Sequence, residues 1–270
     1  MTSRYDRQIA LFGKDGHDRL AQSSALVLGA GGLGMQVIQQ LAYLGVGALG
    51  FADADTVDET NLNRLVGATP DDVGRVKVAV AERLVLAARP DCAVTALPLD
   101  LPEPDVVAAI SRSAVVVGCF DKELPRLAAA DACSQAGVPY LDAATEVVPT
   151  STGPVYGGRV VFSGGSGCVS CLGVVDPQEL ARERMTDEQR RTHDRIYGVN
   201  RDELGGSGPS VVTLNGVVAS LAAMETMCLL TGLRDPARQV TYRGDLAVVI
   251  RDNASGRADC PFCARWRGSG

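Results

Sequence analysis

The chain has no excess of positive charge. Its formal net charge is −6 over 270 residues, which removes the electrostatic case for nucleic acid or an anionic membrane surface as a partner. It also has no uninterrupted apolar run of the roughly 18 residues that mark a spanning helix. The stretch from Val211 to Leu230 comes nearest, but Asn215 and Glu225 interrupt it, so it reads as a buried core helix. The segment from Met1 to Leu20 is charged and contains no apolar h-region of a secretory signal. There is no internal repeat and no low-complexity block, and aromatic residues make up only 4% of the chain. What is left is an ordinary globular composition, 46% apolar and 21% charged. A chain of this length can bury about 70–75% of its unfolded surface. A cytoplasmic protein is expected, in which thiols stay reduced, so the eight cysteines need a reason other than disulfides.

The most informative stretch is Gly29-Ala30-Gly31-Gly32-Leu33-Gly34. An apolar run, Ala25 to Leu28, precedes it, and a helical pattern, Met35 to Leu44, follows. A second apolar run, Val46 to Ala52, ends in Asp53. Strand, glycine turn, helix, strand and an acid about 20 residues on form the layout of a Rossmann-type nucleotide site. The glycines allow a tight turn and bring backbone close to a phosphate. The helix N-terminus then offers unpaired N–H groups and a partial positive charge, while Asp53 stands where a carboxylate accepts bonds from a ribose. The bland alternative is a tight strand-to-helix turn that holds no ligand.

Taken in order, the N-terminal segment of residues 1–22 is an arm. Ile9, Leu11, Phe12 and Leu20 are its expected anchors, and Arg4 and Arg7 stay free. Asp55 to Arg64 is too polar for a strand and reads as a loop at the carboxyl edge of the second strand, where ligands sit in open α/β sheets. Gly74 to Ala88 reads as a helix with a core stripe of Val76, Val80 and Leu84. Lys77 lies in its first turn, against the helix dipole. A nearby anion would explain it, although on spacing alone a solvated lysine is the simpler reading. Further strands are expected at Ala93–Leu99, Ala114–Gly118 and Val138–Leu141, with helices at Pro102–Ser111 and Leu124–Ala136. The run from Ala114 to Gly118 delivers Asp121 to the same edge. This alternation means a doubly wound, mostly parallel sheet, occupying residues 23–145.

The character changes over residues 146–270, although a single domain is expected throughout. Val155 to Phe162 alternates like an antiparallel strand. Asp176 to Gly208 is charged and apolar-poor and reads as a long crossover with some helix. Val211 to Thr231 is the core helix, closed by Gly232, and Gln239 to Ile250 forms a hairpin. Cys168, Cys171, Cys260 and Cys263 make two CxxC pairs far apart in the chain. Two such pairs complete a tetrahedral four-sulfur zinc site, which would staple the C-terminal part to the middle of the fold and contribute folding energy. The alternatives are a redox pair or thiols without metal. Cys92, Cys119, Cys133 and Cys228 lie in or beside apolar runs, as small hydrophobes do.

Together these pieces resemble the ubiquitin-activating-enzyme-like adenylyltransferases, the ThiF, MoeB and HesA family. The carriers are Arg4-Tyr5-x-Arg7-Gln8-Ile9, the glycine turn, Leu44-Gly45-Val46-Gly47, Asp53-x-Asp55-x-Val57, Asn61-Leu62-x-Arg64, Gly74-x-x-Lys77, Asp121 and the paired CxxC motifs. The resemblance implies that ATP and Mg2+ are used to adenylate the C-terminal carboxylate of a small ubiquitin-like or sulfur-carrier protein, a β-grasp fold ending in Gly-Gly, with release of pyrophosphate. It implies that Gly29, Gly31, Gly32 and Gly34 hold the nucleotide, with Asp53 at the ribose and Asp55 beside it. It implies Asn61, Arg64 and Lys77 at the phosphates, Asp121 at Mg2+, and Arg7 reaching into the site of a second subunit of a homodimer. Two departures stand out. The family often carries Asp-Asn where this chain has Asp121-Lys122, which leaves the role of Lys122 open. There is also no cysteine between Cys171 and Cys228 for a thioester or persulfide, so the expected product is the acyl-adenylate, which a separate sulfurtransferase or sulfide source consumes. No fused rhodanese-type domain is expected.

Three other readings are weighed against this one. A peptide or carrier of a natural-product pathway would use the same chemistry on another tail. An NAD-dependent oxidoreductase shares the glycine turn, but hydride transfer gives no reason for Asn61, Arg64, Lys77 or four paired thiols. An inactive scaffold subunit has no need to keep Arg7, Arg64, Lys77 and Asp121.

Overall fold

The computed structural model describes residues 3–260, 263 and 264, save 152, 165, 166, 187, 191–208 and 253–255. The chain enters through α1 (Asp6–Gln22) and then alternates: β1 (Ser24–Leu28), α2 (Gly32–Leu44), β2 (Ala48–Ala52), α3 (Lys77–Ala88), β3 (Ala93–Leu97), α4 (Pro104–Ser111), β4 (Val115–Gly118), α5 (Glu123–Ala136) and β5 (Tyr140–Val148). After these come β6 (Val155–Ser163), a short α6 (Pro177–Glu183), the long α7 (Val212–Thr231), and a hairpin of β7 (Gln239–Arg243) and β8 (Val248–Asp252). One sheet runs through all eight strands in the order β3-β2-β1-β4-β5-β6-β7-β8. The first five pair in parallel, and β6, β7 and β8 join antiparallel. The chain winds outward from β1 to β3, then restarts at β4 on the other side of β1. That reversal opens a crevice outside the carboxyl ends of β1 and β4.

Strand alternation sends side chains to two cores. Ala25, Val27, Val115, Val117, Leu141 and Val160 pack with α1, α2, α3 and α7 on one face. Leu26, Leu28, Val116, Tyr140 and Val161 pack with α4 and α5 on the other. Parallel strands covered on both faces read as continuous apolar runs, and β1 and β4 do. By length and composition alone, α7 is long and apolar enough to cross a membrane. Here it lies against α1, α2, β5 and β6, and its two polar interruptions have partners. Asn215 accepts from Thr145 Oγ1 at 3.1 Å. Glu225 receives both terminal nitrogens of Arg234 at 2.8 and 2.6 Å, and the Ala237 N–H at 2.8 Å.

Several local expectations are corrected. The N-terminal arm is a helix with a break at Gly13 (φ 73°). It is anchored by Phe12 and Leu20, while Leu11 is 58% exposed, because successive helical residues point about 100° apart and Phe12 takes the buried side. In α3 the helix starts only at Lys77, so Val76 sits outside it. The buried face is Val78, Val80, Ala81 and Val85, with Leu84 only partly covered. The strand expected to end at Leu141 continues to Val148 because β6 pairs along its whole length. Of the expected crossover, residues 191–208 lie outside the described residues.

Candidate nucleotide site and thiol cluster

The crevice is built from β1 outward. Gly29 has a φ of 91°, which favours glycine. Its carbonyl oxygen lies 1.8 Å from where a Cβ on Gly34 would sit, so strand and helix meet too closely for a side chain. Gly31 caps α2 with no side-chain hydrogen bond, leaving the helix N-terminus to outside acceptors. Gly32 is half-buried and crowded by side chains. A Cβ there would lie 2.7 Å from Asn215 Nδ2 and 3.0 Å from Arg64 Cγ.

Asp53 is 7% exposed. Its Oδ2 accepts from the Ala30 N–H at 2.7 Å and its Oδ1 from the Asp55 N–H at 2.8 Å, so it ties the glycine turn to the end of β2. Burial pushes its carboxyl above the ordinary range, and the charge of Lys77 opposes this. A carboxylate has about four acceptor positions, so each oxygen keeps capacity for a hydroxyl. Asp55 is exposed, and its Oδ2 meets Lys77 Nζ at 2.6 Å. The lysine side chain is only 12% exposed, so the anion expected near this helix start is Asp55 and the solvated reading fails. A bridge between Thr56 and Val76 and the bond from Lys77 N–H to Asp55 O, 2.9 Å, hold the two segments side by side.

Between them, the loop of Asp58 to Arg64 is self-braced. Asp58 accepts from the Thr60 N–H at 2.8 Å, and Asn61 Oδ1 accepts from the Asp58 N–H at 3.3 Å. Asn61 thus closes a capping box. Arg64 Nη1 donates to Thr60 O at 2.6 Å and to Asn63 Oδ1 at 3.1 Å, laying its stem across Gly32. On the other side of the crevice, the Cys119 carbonyl that follows β4 approaches Gly29, and Asp121 and Lys122 are exposed just beyond. The structure therefore brings the glycine turn, Asp53, Asp55, Asn61, Arg64, Lys77 and Asp121 to one rim. It does not bring Arg7 there. Arg7 is exposed on α1, next to Gln8, whose side chain donates to Leu44 O at 2.7 Å at the far end of α2. A helix of 13 residues is about 20 Å long, too far for Arg7 to serve its own chain's turn.

Asn215 joins this rim although the sequence pattern does not single it out. It is 1% exposed and donates to Ser210 Oγ at 3.1 Å while covering Gly32. The available signal was a lone amide inside an apolar helix.

The four paired thiols form a separate cluster. Cys168, Cys171, Cys260 and Cys263 bring their sulfurs within 4.8 Å of one another. Sγ–Sγ separations are 3.8 Å for Cys168–Cys171, 3.6 Å for Cys168–Cys260 and 3.5 Å for Cys171–Cys263. Sulfurs at the corners of a tetrahedron about 2.3 Å from a zinc ion stand about 3.8 Å apart, so the donor set and spacing fit. Burial raises Cys168 to about 11. The remaining thiols are not poised as nucleophiles: burial pushes Cys92, Cys119 and Cys228 upward, and Cys133 to about 12.

The fold and its rim define a Rossmann-like nucleotide-binding protein. Residues 5–256 match the ThiF family, and the chain belongs to that family. It is 31% identical over 266 residues to the sulfur carrier protein ThiS adenylyltransferase of Escherichia coli K12, covering 96% of this chain and 94% of that protein. It is 31% identical over 238 residues to the molybdopterin-synthase adenylyltransferase of the same organism, covering 87% and 84%. Among solved structures, E. coli MccB with ATP shares the fold at a TM-score of 0.73 and 20% identity, over 97% of this chain and 75% of that one.

Proposed function

We propose that this protein is an adenylyltransferase that uses ATP and Mg2+ to join AMP to the C-terminal carboxylate of a small β-grasp sulfur-carrier protein ending in Gly-Gly. The observation that carries this reading is the rim itself: two cations, Arg64 and Lys77, and two acids of different burial, Asp53 and Asp121, around one uncapped glycine turn. A relative that matches nearly end to end and is named for adenylating a sulfur-carrier protein supports it.

In this reading the triphosphate lies on the α2 N-terminus, and Asp53, already anchored by two backbone N–H groups, accepts from the ribose. A tail carboxylate oxygen attacks the α-phosphorus, and the bond to the bridging oxygen breaks, releasing pyrophosphate. Charge grows on the phosphoryl oxygens, so catalysis is positioning plus positive charge. Asp55 holds Lys77 in place for that role, and Arg64 reaches from its braced loop. Asp121 fits a Mg2+ ion because an exposed carboxylate is the hard oxygen donor this cation takes; when bound, the ion would neutralise phosphate charge. Arg7 serves the site of a second subunit, making the working form a homodimer. Cys168, Cys171, Cys260 and Cys263 hold a structural Zn2+. The protein works in the cytoplasm, without nucleic acid or membrane.

The test is ATP–pyrophosphate exchange against a panel of β-grasp carriers and short peptide tails. Exchange supported by a Gly-Gly carrier is the expected result; exchange with none of them, or preferential binding of NAD by calorimetry, would reject the reading. The lack of a cysteine between Cys171 and Cys228 favours one second reading, adenylation of a peptide in a natural-product pathway, where no thiol step is needed. Exchange driven by free peptide and not by the carrier selects it. In either case mass spectrometry after turnover should find no carrier bound to the enzyme through a cysteine.

A further inference from the structure

The helix that follows Asp121 has no cap of its own. Its N-cap residue is Lys122, whose side chain makes no capping bond and has no acceptor to offer. Its third residue is Pro125, which has no N–H. The open donors of the first turn are therefore the N–H groups of Glu123 and Leu124. Both are taken by one carboxylate from about 60 residues away: Glu183 Oε1 accepts from Glu123 N–H at 2.8 Å and Oε2 from Leu124 N–H at 2.7 Å. Glu183 is the last residue of α6, the short helix that begins the crossover.

The same turn is held from beneath. Arg126 is 3% exposed; it donates to Phe120 O at 3.1 Å and pairs with the fully buried Asp142, which also accepts from Tyr140 OH at 3.0 Å. Residues 120–124 are thus gripped by a buried network on the core side and by Glu183 on the crossover side, with the Asp121 carboxylate exposed between. Just past the crossover, Ser210 is bonded to Asn215, which covers Gly32. The start of the crossover and the residue two positions beyond it are thus fastened to the two sides of the nucleotide crevice.

We propose that Glu183 is a positioning residue: by docking the start of the crossover onto the turn that carries Asp121, it sets the metal-dependent step of adenylation. This rests on the reading of Asp121 as the magnesium-binding acid. The core-side grip cannot be varied without stranding a buried charge, but Glu183 is only half-buried and can be changed.

The experiment compares Glu183→Ala, Glu183→Gln and Asp121→Ala with the wild type in pyrophosphate exchange, titrating Mg2+, and in amide hydrogen exchange of the ligand-free protein. Glu183→Ala should speed exchange of the Glu123 and Leu124 amides at least roughly tenfold, as expected when a cap is lost. It should also lower kcat about tenfold and raise the Mg2+ needed for half-maximal rate about fivefold, with KM for ATP within roughly twofold. Glu183→Gln, which keeps one acceptor in place, should recover more than half of the lost rate. If the two amides are deprotected but kcat and the Mg2+ dependence stay within about twofold, Glu183 is a helix cap only and the proposal is overturned. Unchanged amide exchange overturns it too, because the contact is then not made. Wild-type exchange in Asp121→Ala defeats the magnesium reading itself and is distinguishable, because the amide result still reports the contact.

Discussion

Lys77 carries the clearest residue-scale consequence. Its side chain is almost covered yet faces an Asp55 that is 72% exposed, so the pair contributes little stability, while the charge sits beside the phosphate cradle. Lys77→Ala should therefore cut kcat of pyrophosphate exchange about 100-fold and leave the melting temperature within about 2 °C. Loss of rate with a collapsed melting curve would show that the lysine is structural. Asp121→Ala should abolish exchange with the far-ultraviolet circular dichroism unchanged; retained exchange removes the acid from the mechanism. A different carboxylate carries the pH dependence of the fold. Asp72, 1% exposed, takes both terminal nitrogens of Arg83 at 2.7 and 2.6 Å and the Thr69 N–H at 2.8 Å. The Arg83 bonds, foremost, hold its carboxyl well below the ordinary range. An acid whose folded value is depressed stabilises the fold above its unfolded value, near 3.9, and loses that contribution as pH falls through the folded value. The melting temperature of the wild type should thus exceed that of Asp72→Asn at pH 6, and the gap should close as the buffer is taken below about pH 3. A constant gap refutes the linkage.

At the scale of the element, the strand–turn–helix unit tolerates the least change. A methyl group on Gly34 would meet the Gly29 carbonyl at 1.8 Å, and backbone cannot step aside as a side-chain tip does. Gly34→Ala should lower stability by about 3 kcal/mol, read by urea unfolding. Gly32→Ala meets the amide tip of Asn215 and the stem of Arg64, side chains rather than backbone, so its fold should survive while KM for ATP rises. The same contrast explains the loop of Asp58 to Arg64. Its capping box keeps Arg64 aimed across the turn without a ligand, so little ordering is left for the nucleotide to impose.

For the whole molecule, two long-range links are at stake. If Arg7 serves a neighbouring subunit, Arg7→Ala and Lys77→Ala each inactivate the homodimer, but mixed and reassembled they share one intact site per heterodimer. About one quarter of wild-type activity should then return, and none would return if Arg7 acted in its own chain. The thiol cluster joins the segment after β6 to the end of the described chain. One zinc per chain should be found by elemental analysis, and chelation should lower the melting temperature by roughly 2–4 °C for each kcal/mol lost before it lowers activity selectively. Metal-free protein that melts normally would refute the staple.

Much of this was legible in the chain because it depends on short-range physics. The period of the apolar runs announced a doubly wound sheet, the glycine spacing announced the turn and its helix, and two CxxC pairs announced a shared centre. Other features depended on pairings between distant residues. That β5 runs on past Leu141 depends on β6. That Lys77 is shielded rather than solvated depends on the bridge between Thr56 and Val76. The start of α3 falls later than its apolar pattern predicts, because Val76 fits the helical stripe yet is claimed by that bridge. Asn215 and Glu183 carried no local signal of a role, since an amide in an apolar helix and one glutamate among many charges are ordinary until the fold sets them on Gly32 and on the bare end of α5. The layers, the turn and the kinds of chemical group available follow from the order of residues, because backbone sterics and apolar burial act over a few residues. Which groups share a rim emerges only on folding, because a hydrogen bond or ion pair spans only a few ångströms and exists once the sheet has carried both partners to it.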